Sequence, residues 1–440
     1  MNRCPRLLLI VISIGLALAA CSPPTPEASP TPLPTDTPNP TETPDQAAIP
    51  VESRLTTKCV QTNDASPDSL QLGGSLFVVV IDEGNKTYMW DLGSDLKIEA
   101  DAGSTRVVLS PDRARLAAID RHMEALIVLD ASATRLLELK DWGDEYDVIQ
   151  WLKDNQLVIK LPYGDSSYEP DAILVFDIAT RERQEINPDL PQITNFFQEL
   201  SWGGYTISPL VPNSPLTRLV YPAKEEADNS LILWDIQNEQ EIGRVYQHGN
   251  PGAGVQSSAP AWSQDGTSFV TSAMLRYTYD PNDDSEPVHP LQSAAGAAED
   301  AFINVDDAAA YVSGFELIRV DQNGSIQRLS YLTTTFDAAE KDWVWSPDET
   351  HVAFWLTIED DEFPVRDALA VLDVASGEVV NYCISGYRTP IWSPDGHQIA
   401  INQNIDERDT FKIVDLDAGV AYAIAGEEAM KVEGWMIPPP

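Results

Sequence analysis

The feature that most constrains this chain is a phrase that comes back along it. Trp392-Ser393-Pro394-Asp395-Gly396 precedes Ile399-Ala400, Trp345-Ser346-Pro347-Asp348 precedes Val352-Ala353, and Trp262-Ser263-Gln264-Asp265-Gly266 precedes Phe269-Val270. A worn copy, Ser110-Pro111-Asp112, precedes Leu116-Ala117, and in another Ser214-Pro215 precedes Leu219-Val220-Tyr221. Each copy sets a tight turn between two apolar strands: Pro fixes φ, Asp bonds its own backbone and Gly supplies a positive φ. A phrase that returns along most of a chain demands a repeat architecture, so the fold is read from the period.

The period has a second half. Apolar runs ending in Asp follow the turns, at Tyr88–Asp91, Ile127–Asp130, Leu174–Asp177, Ile232–Asp235, Leu317–Asp321, Val371–Asp373 and Ile413–Asp415. A short turn and another strand follow most of them; Asn323-Gly324 after Asp321 reads as a type I′ hairpin. One period is therefore four short strands, A to D, which is a propeller blade. The blades fall at about 73–101, 104–141, 145–189, 204–248, 257–332, 341–385 and 387–428. Blade 1 has no innermost strand before it. Lys431–Trp435 carries the strand-A pattern at the other end of the chain, so the expected fold is an all-β, seven-bladed propeller closed by its C-terminal strand, a closure that removes two open sheet edges.

Trp-Ser-Pro-Asp-Gly followed by Ile-Ala resembles the repeat of TolB-like propellers (PD40 or WD40-like repeats), over about 75–435. It is clear in blades 5, 6 and 7, degraded in 2 and 3, and nearly lost in 1 and 4; blade 3 keeps Trp151 but has Leu-Lys-Asp for Ser-Pro-Asp. The resemblance implies the fold. Family members include periplasmic partners of envelope proteins and the capping propellers of prolyl oligopeptidase-type peptidases, but neither an amino-terminal TolB domain nor a hydrolase domain fits here, so neither function carries over.

The chain has 69 acidic against 28 basic side chains and a formal net charge of −41, a balance that repels nucleic acid. Residues 1–20 read as an export signal: Arg3 and Arg6 precede the apolar run Leu7–Ala20, which is short for a membrane span. The run ends Leu18-Ala19-Ala20-Cys21, which resembles the bacterial lipobox and implies lipid attachment at Cys21; an ordinary cleaved signal with a chance cysteine is the alternative. Residues 21–50 are Pro/Thr-rich and cannot bury a core, so they are expected to be a disordered stalk reaching about 90 Å at ~3.1 Å per residue. Residues 51–440 are the propeller. Cys59 and Cys383 are the thiols left in that part; an exported chain with two cysteines often pairs them, and a buried inert pair is the alternative.

Catalytic signatures are missing from the sequence. There is no Gly-x-Ser-x-Gly elbow and no Gly-rich phosphate loop opening a helix. His351 and His397 fall just after two Pro-Asp turns and read as exposed turn residues. The longer B–C and D–A connections share one face of such a ring, and they carry the candidate ligand-binding residues: Tyr163, Tyr168, Phe196, Phe197, Trp202, Tyr277, Tyr279, Asp360, Asp361 and Phe363. The Phe196–Trp202 cluster also fits a lid packed on the blades. Asp280, Asn282, Asp284 and Glu286 alternate like the start of a calcium loop, but Ser285 and Leu291 stand where an EF-hand needs Gly and Glu, so no cofactor is expected and calcium is the alternative. The functional expectation is a non-enzymatic, membrane-anchored extracytoplasmic module binding an envelope protein, a cell-surface glycan or a basic segment. A hydrolase or lyase acting at the loop face over the central channel is the alternative.

Overall fold

The computed structural model describes residues 54–437 apart from 66–71, 82–85, 101, 103–106, 121–122, 143–146, 154, 161–172, 187–210, 223–229, 247–259, 279–288, 291–310, 333–335, 339–342, 359–366, 406–407 and 425–428. The chain divides into two compact units, Met1–Ala48 and Ile49–Pro440, and everything described lies in the second. Its described residues form strands and turns, arranged as seven sheets.

Each sheet contains one blade of four antiparallel strands, in sequence order in blades 2 to 7, as blade 2 illustrates with Val108–Leu109, Arg115–Asp120, Ala125–Asp130 and Arg135–Lys140; the sheets of blades 5, 6 and 7 carry extra edge strands. Successive strand residues point to opposite faces, and here both faces are covered. Leu116 and Ala118 pack toward blade 1 while Ala117 and Ile119 pack toward blade 3. That is why the middle strands read as unbroken apolar runs, such as Ala125–Leu129, rather than alternating ones. Seven apolar clusters result, one at each junction between neighbouring blades, including the junction of blade 7 with blade 1.

The repeated phrase works as turn chemistry. In blades 2, 5, 6 and 7 the Ser hydroxyl (Ser110, Ser263, Ser346, Ser393) donates to the Asp two residues on, at 2.5–2.7 Å. The same oxygen accepts the backbone N–H five residues on, at 2.9–3.2 Å. Burial works to raise the pKa of Asp265 and Asp348, but the serine and backbone hydrogen bonds outweigh it and hold both below the ordinary carboxylate value. All seven strand-C aspartates likewise accept backbone N–H groups of the turn that follows. Trp262, Trp345 and Trp392 each donate an indole N–H to a strand-A carbonyl of the preceding blade (Val211, Ala261 and Val344) at 3.0–3.1 Å, stitching neighbours together.

Two turns differ from expectation. At Asp321 only Gly324 has positive φ (85°), not Asn323, so the turn is a longer loop ending in a left-handed glycine and not a type I′ pair. In blade 4 the phrase is displaced by one residue. Asn213, not Ser214, takes the serine's place, with its side-chain oxygen accepting the N–H groups of Thr217 and Arg218 at 2.9 Å; Leu216 sits at the glycine position with φ 56°.

The C-terminal strand Met430–Met436 pairs antiparallel with Ser75–Val80, matching Leu76 with Trp435 and Val79 with Lys431. Trp435 is fully buried, and its indole N–H donates to Gly73 O at 2.9 Å, a bond within blade 1 instead of to the preceding blade. The leading segment forms two strands with no counterpart in the repeat. Leu55–Thr57 pairs parallel with strand D of blade 6, Val379–Ser385, and Gln61–Ala65 pairs parallel with strand D of blade 7, Val420–Ile424. Between them a disulfide joins Cys59 to Cys383, with Cα atoms 4.8 Å apart.

Candidate functional site on the loop face

The two faces of the ring differ because their connections differ. The A–B and C–D turns share a face: His397 Nδ1 in one lies 3.0 Å from Asp417 Oδ2 in the other, and Arg218 Nη1 beside one lies 3.1 Å from Asp235 Oδ2 at the other. His351 Nε2 reaches Asp373 Oδ2 the same way at 3.6 Å, so each histidine is occupied by its own blade's turn. Among the described residues, the connections on that face are tight turns. The long connections run instead from strand B to C (161–172, 223–229, 279–310, 359–366) and from D to A (187–210, 247–259), and their described ends emerge on the opposite face.

Tyr163, Tyr168, Phe196, Phe197, Trp202, Tyr279, Asp360, Asp361 and Phe363 lie outside the described residues, as do Asp280, Asn282, Asp284, Glu286 and Cys21. Tyr277 is placed by its backbone near the end of strand B of blade 5, Ser268–Thr278, opposite Val312 of strand C. Among the described residues no group of His, Cys, Asp and Glu is arranged to hold a metal ion.

What the structure does define on this face is a polar cluster where blade 7 meets blade 1. Tyr387 and Arg388 begin strand A of blade 7, Asn404 is the last residue but one of strand B, Asp409 is the second residue of strand C, and Lys431 and Glu433 belong to the closing strand. Asp409 accepts from the Tyr387 hydroxyl, from Asn404 Nδ2 at 3.1 Å, and pairs with Lys431 Nζ at 3.1 Å. Burial alone would raise its pKa, but these donors and the lysine charge outweigh burial, and Asp409 is held below the ordinary value. Burial, then the bond to Asp409 and its charge, push the Tyr387 hydroxyl the other way, above its ordinary value. Arg388 Nη1 reaches Glu433 Oε1 at 2.5 Å, and its carbonyl accepts Trp355 Nε1 of blade 6 at 2.8 Å. Beneath them the buried Asn402 side chain takes both backbone groups of Val432, each at 2.8 Å.

The cluster therefore holds blades 6, 7 and 1 in register at the base of the loop face. Its donors and the Lys431 charge favour the ionised form of Asp409, and Glu433 is paired with Arg388. Sequence reasoning missed the cluster because its members span residues 387–433 and only strand register joins them. The available signal was Asn402 and Asn404, polar residues in a strand whose neighbours Ile399, Ala400 and Ile401 are fully buried.

Elsewhere the buried Glu316 of blade 5 pairs with Arg328 Nη2 at 2.7 Å and accepts from the Ser330 hydroxyl and Leu332 N–H, fixing the path out of strand D. On the turn face Arg113 Nη1 spans from blade 2 to the Trp392 carbonyl of blade 7 at 2.8 Å. Burial lowers its pKa to about 10.

Fold and site together define a seven-bladed β-propeller with one turn face and one loop face. No protein-family model matches the chain, and neither does any curated protein sequence. Among solved structures, it is similar to TolB from Acinetobacter baumannii (12% identity, TM-score 0.41, covering 89% of this chain and 98% of that one). It is similar to a functionally unknown protein from Desulfotomaculum acetoxidans (10%, TM-score 0.46, 83% and 99%). The β-propeller domain of the Trilobed protease from Pyrococcus furiosus also matches (11%, TM-score 0.41, 73% and 84%).

Proposed function

We propose that this chain is a lipid-anchored, extracytoplasmic binding module: diacylglycerol on Cys21, residues 21–50 as a stalk, and the loop face as the binding surface. The observation that carries the reading is the asymmetry of the ring, with all its long connections on one face of a closed scaffold, where binding residues are usually mounted. The chain's acidity, −41 overall, favours a basic segment of an envelope protein by electrostatic complementarity. The aromatic residues of those connections (Tyr163, Tyr168, Tyr279, Phe363), with Tyr277 at the end of the adjoining strand, favour a cell-surface glycan as the second ligand class.

Replacing 280–309 by a short Gly/Ser turn tests the surface. Binding to envelope proteins and glycan fragments falls at least tenfold while the melting temperature holds. Unchanged binding by a folded variant removes the longest connection from the site.

A further inference from the structure

We propose that the leading segment is a strap that takes up tension: a pull arriving along the chain from before Arg54 is delivered to the outer edge of blade 6 at Cys383, and is kept from the strands that close the ring. Its use in the cell rests on the anchoring reading above; its geometry does not.

The strap enters at a turn corner. Arg54 Nη1 donates to Ser376 O in the C–D turn of blade 6 at 2.5 Å, and the guanidinium lies 4.3 Å from the ring centre of Tyr331 in blade 5. Backbone bonds then run Arg54 N–H to Tyr331 O, Val379 N–H to Arg54 O, Lys58 N–H to Asn381 O and Val60 N–H to Tyr382 O, at 2.8–3.1 Å. Leu55 faces Val379, so this strand and strand D both start at the turn corner and run parallel. A pull on Arg54 directed away from the loop face acts along the strand and loads these bonds together. The strand is only three residues long, and the side chains of Thr56 and Thr57 are exposed. Such an edge strand alone is a weak attachment.

What lies beyond makes the weakness matter. Gln61–Ala65 is an equally polar edge strand on blade 7, and after it the chain passes to Ser75–Val80, the strand that pairs with Met430–Met436. Without a stop, peeling that starts at Arg54 runs through blade 7's edge to the closing strand. The Cys59–Cys383 bond sits between the two strap strands and provides that stop. Lys58 Nζ adds a second hold, donating to Leu416 O at 2.8 Å in the C–D turn of blade 7.

The test is single-molecule pulling of the chain from Ser22 onward, held at its N-terminus and at an azide-bearing residue replacing Ile405 on the loop face. In the oxidised protein, rupture of the first strap strand releases no more than about 20 Å before the ring itself fails, at ~3.5 Å per residue. In Cys59→Ser/Cys383→Ser, or in the wild-type protein under dithiothreitol, an added step of about 50 Å appears before the ring fails, the length of residues 60–74. The reductant arm decides the question if the double variant does not fold. Identical traces with and without the bond, or a step of about 70 Å in the oxidised protein, overturn the proposal. A soluble, unlipidated protein in cells would reject the anchor and leave these traces unchanged.

Discussion

Closure by the C-terminal strand can be tested by graded damage to it. Trp435 has no exposed surface and packs with Leu76, Val78, Trp90 and Val432 at the blade 7–1 junction. Replacing a buried Trp with Ala costs about 3–5 kcal/mol. Trp435→Phe keeps most of the packing and loses the indole bond to Gly73, about 1–2 kcal/mol. At ~2.1 cal/mol/K per residue, a domain of about 390 residues has an unfolding entropy near 0.8 kcal/mol/K, so Trp435→Ala lowers Tm by about 4–6 °C. Deleting 430–440 also strips Met430, Val432 and Met436, all buried. At about 2–5 kcal/mol each, the sum reaches the whole 5–15 kcal/mol margin of a typical domain. Calorimetry with light scattering is the assay. The truncated chain aggregates or melts far below the parent, and a 428–440 peptide added in trans restores part of the loss. A truncated chain that stays monomeric with an unchanged Tm refutes the closure.

Further predictions follow from single sites. Cys21→Ser releases the protein from membranes or leaves an unprocessed precursor; fully bound, processed variant protein contradicts the anchor. Gly396 has φ 78° with the nearest atom 3.7 Å from an added Cβ, so Gly396→Ala costs about 1–2 kcal/mol from backbone alone. Gly266 has φ 68° and an added Cβ would lie 2.5 Å from Pro215 Cδ and 2.9 Å from Ser214 N, so Gly266→Ala costs at least twice as much in urea titrations; equal losses count against the interlocked turns. Asp409 has a folded pKa below its unfolded value, so its contribution is present above pH ~4 and lost as pH falls through the folded pKa. Stability therefore falls less steeply in that acid range in Asp409→Asn than in the parent, and parallel curves would mean the cluster does not hold Asp409 ionised.

Much of the ring was legible because it is made by local chemistry. Ser-Pro-Asp-Gly specifies a turn by itself, and the strand-C aspartates close the next one. Trp435 marked the closing strand because the pattern was already known from the other blades. Blade 4 was misaligned by one residue because Asn213 performs the serine's bonding with a different side chain. The Cys59–Cys383 bond of the strap was legible as a candidate pair, but its strands were not, for a physical reason: Leu-Thr-Thr and Gln-Thr-Asn-Asp-Ala are edge strands with mostly exposed faces, so burial imposes no apolar pattern on them. The Tyr387–Glu433 cluster was invisible because it is set by register between the two ends of the ring.

The proposed binding surface is the loop face, and the turn face should carry no partner. Photo-crosslinking residues placed at the exposed loop-face positions Thr389 and Ile405, and at the exposed turn-face positions Ser94 and Glu239, test it directly in cells. Discrete envelope adducts are expected from the loop-face pair and none from the turn-face pair. Adducts confined to Ser94 and Glu239 would contradict it.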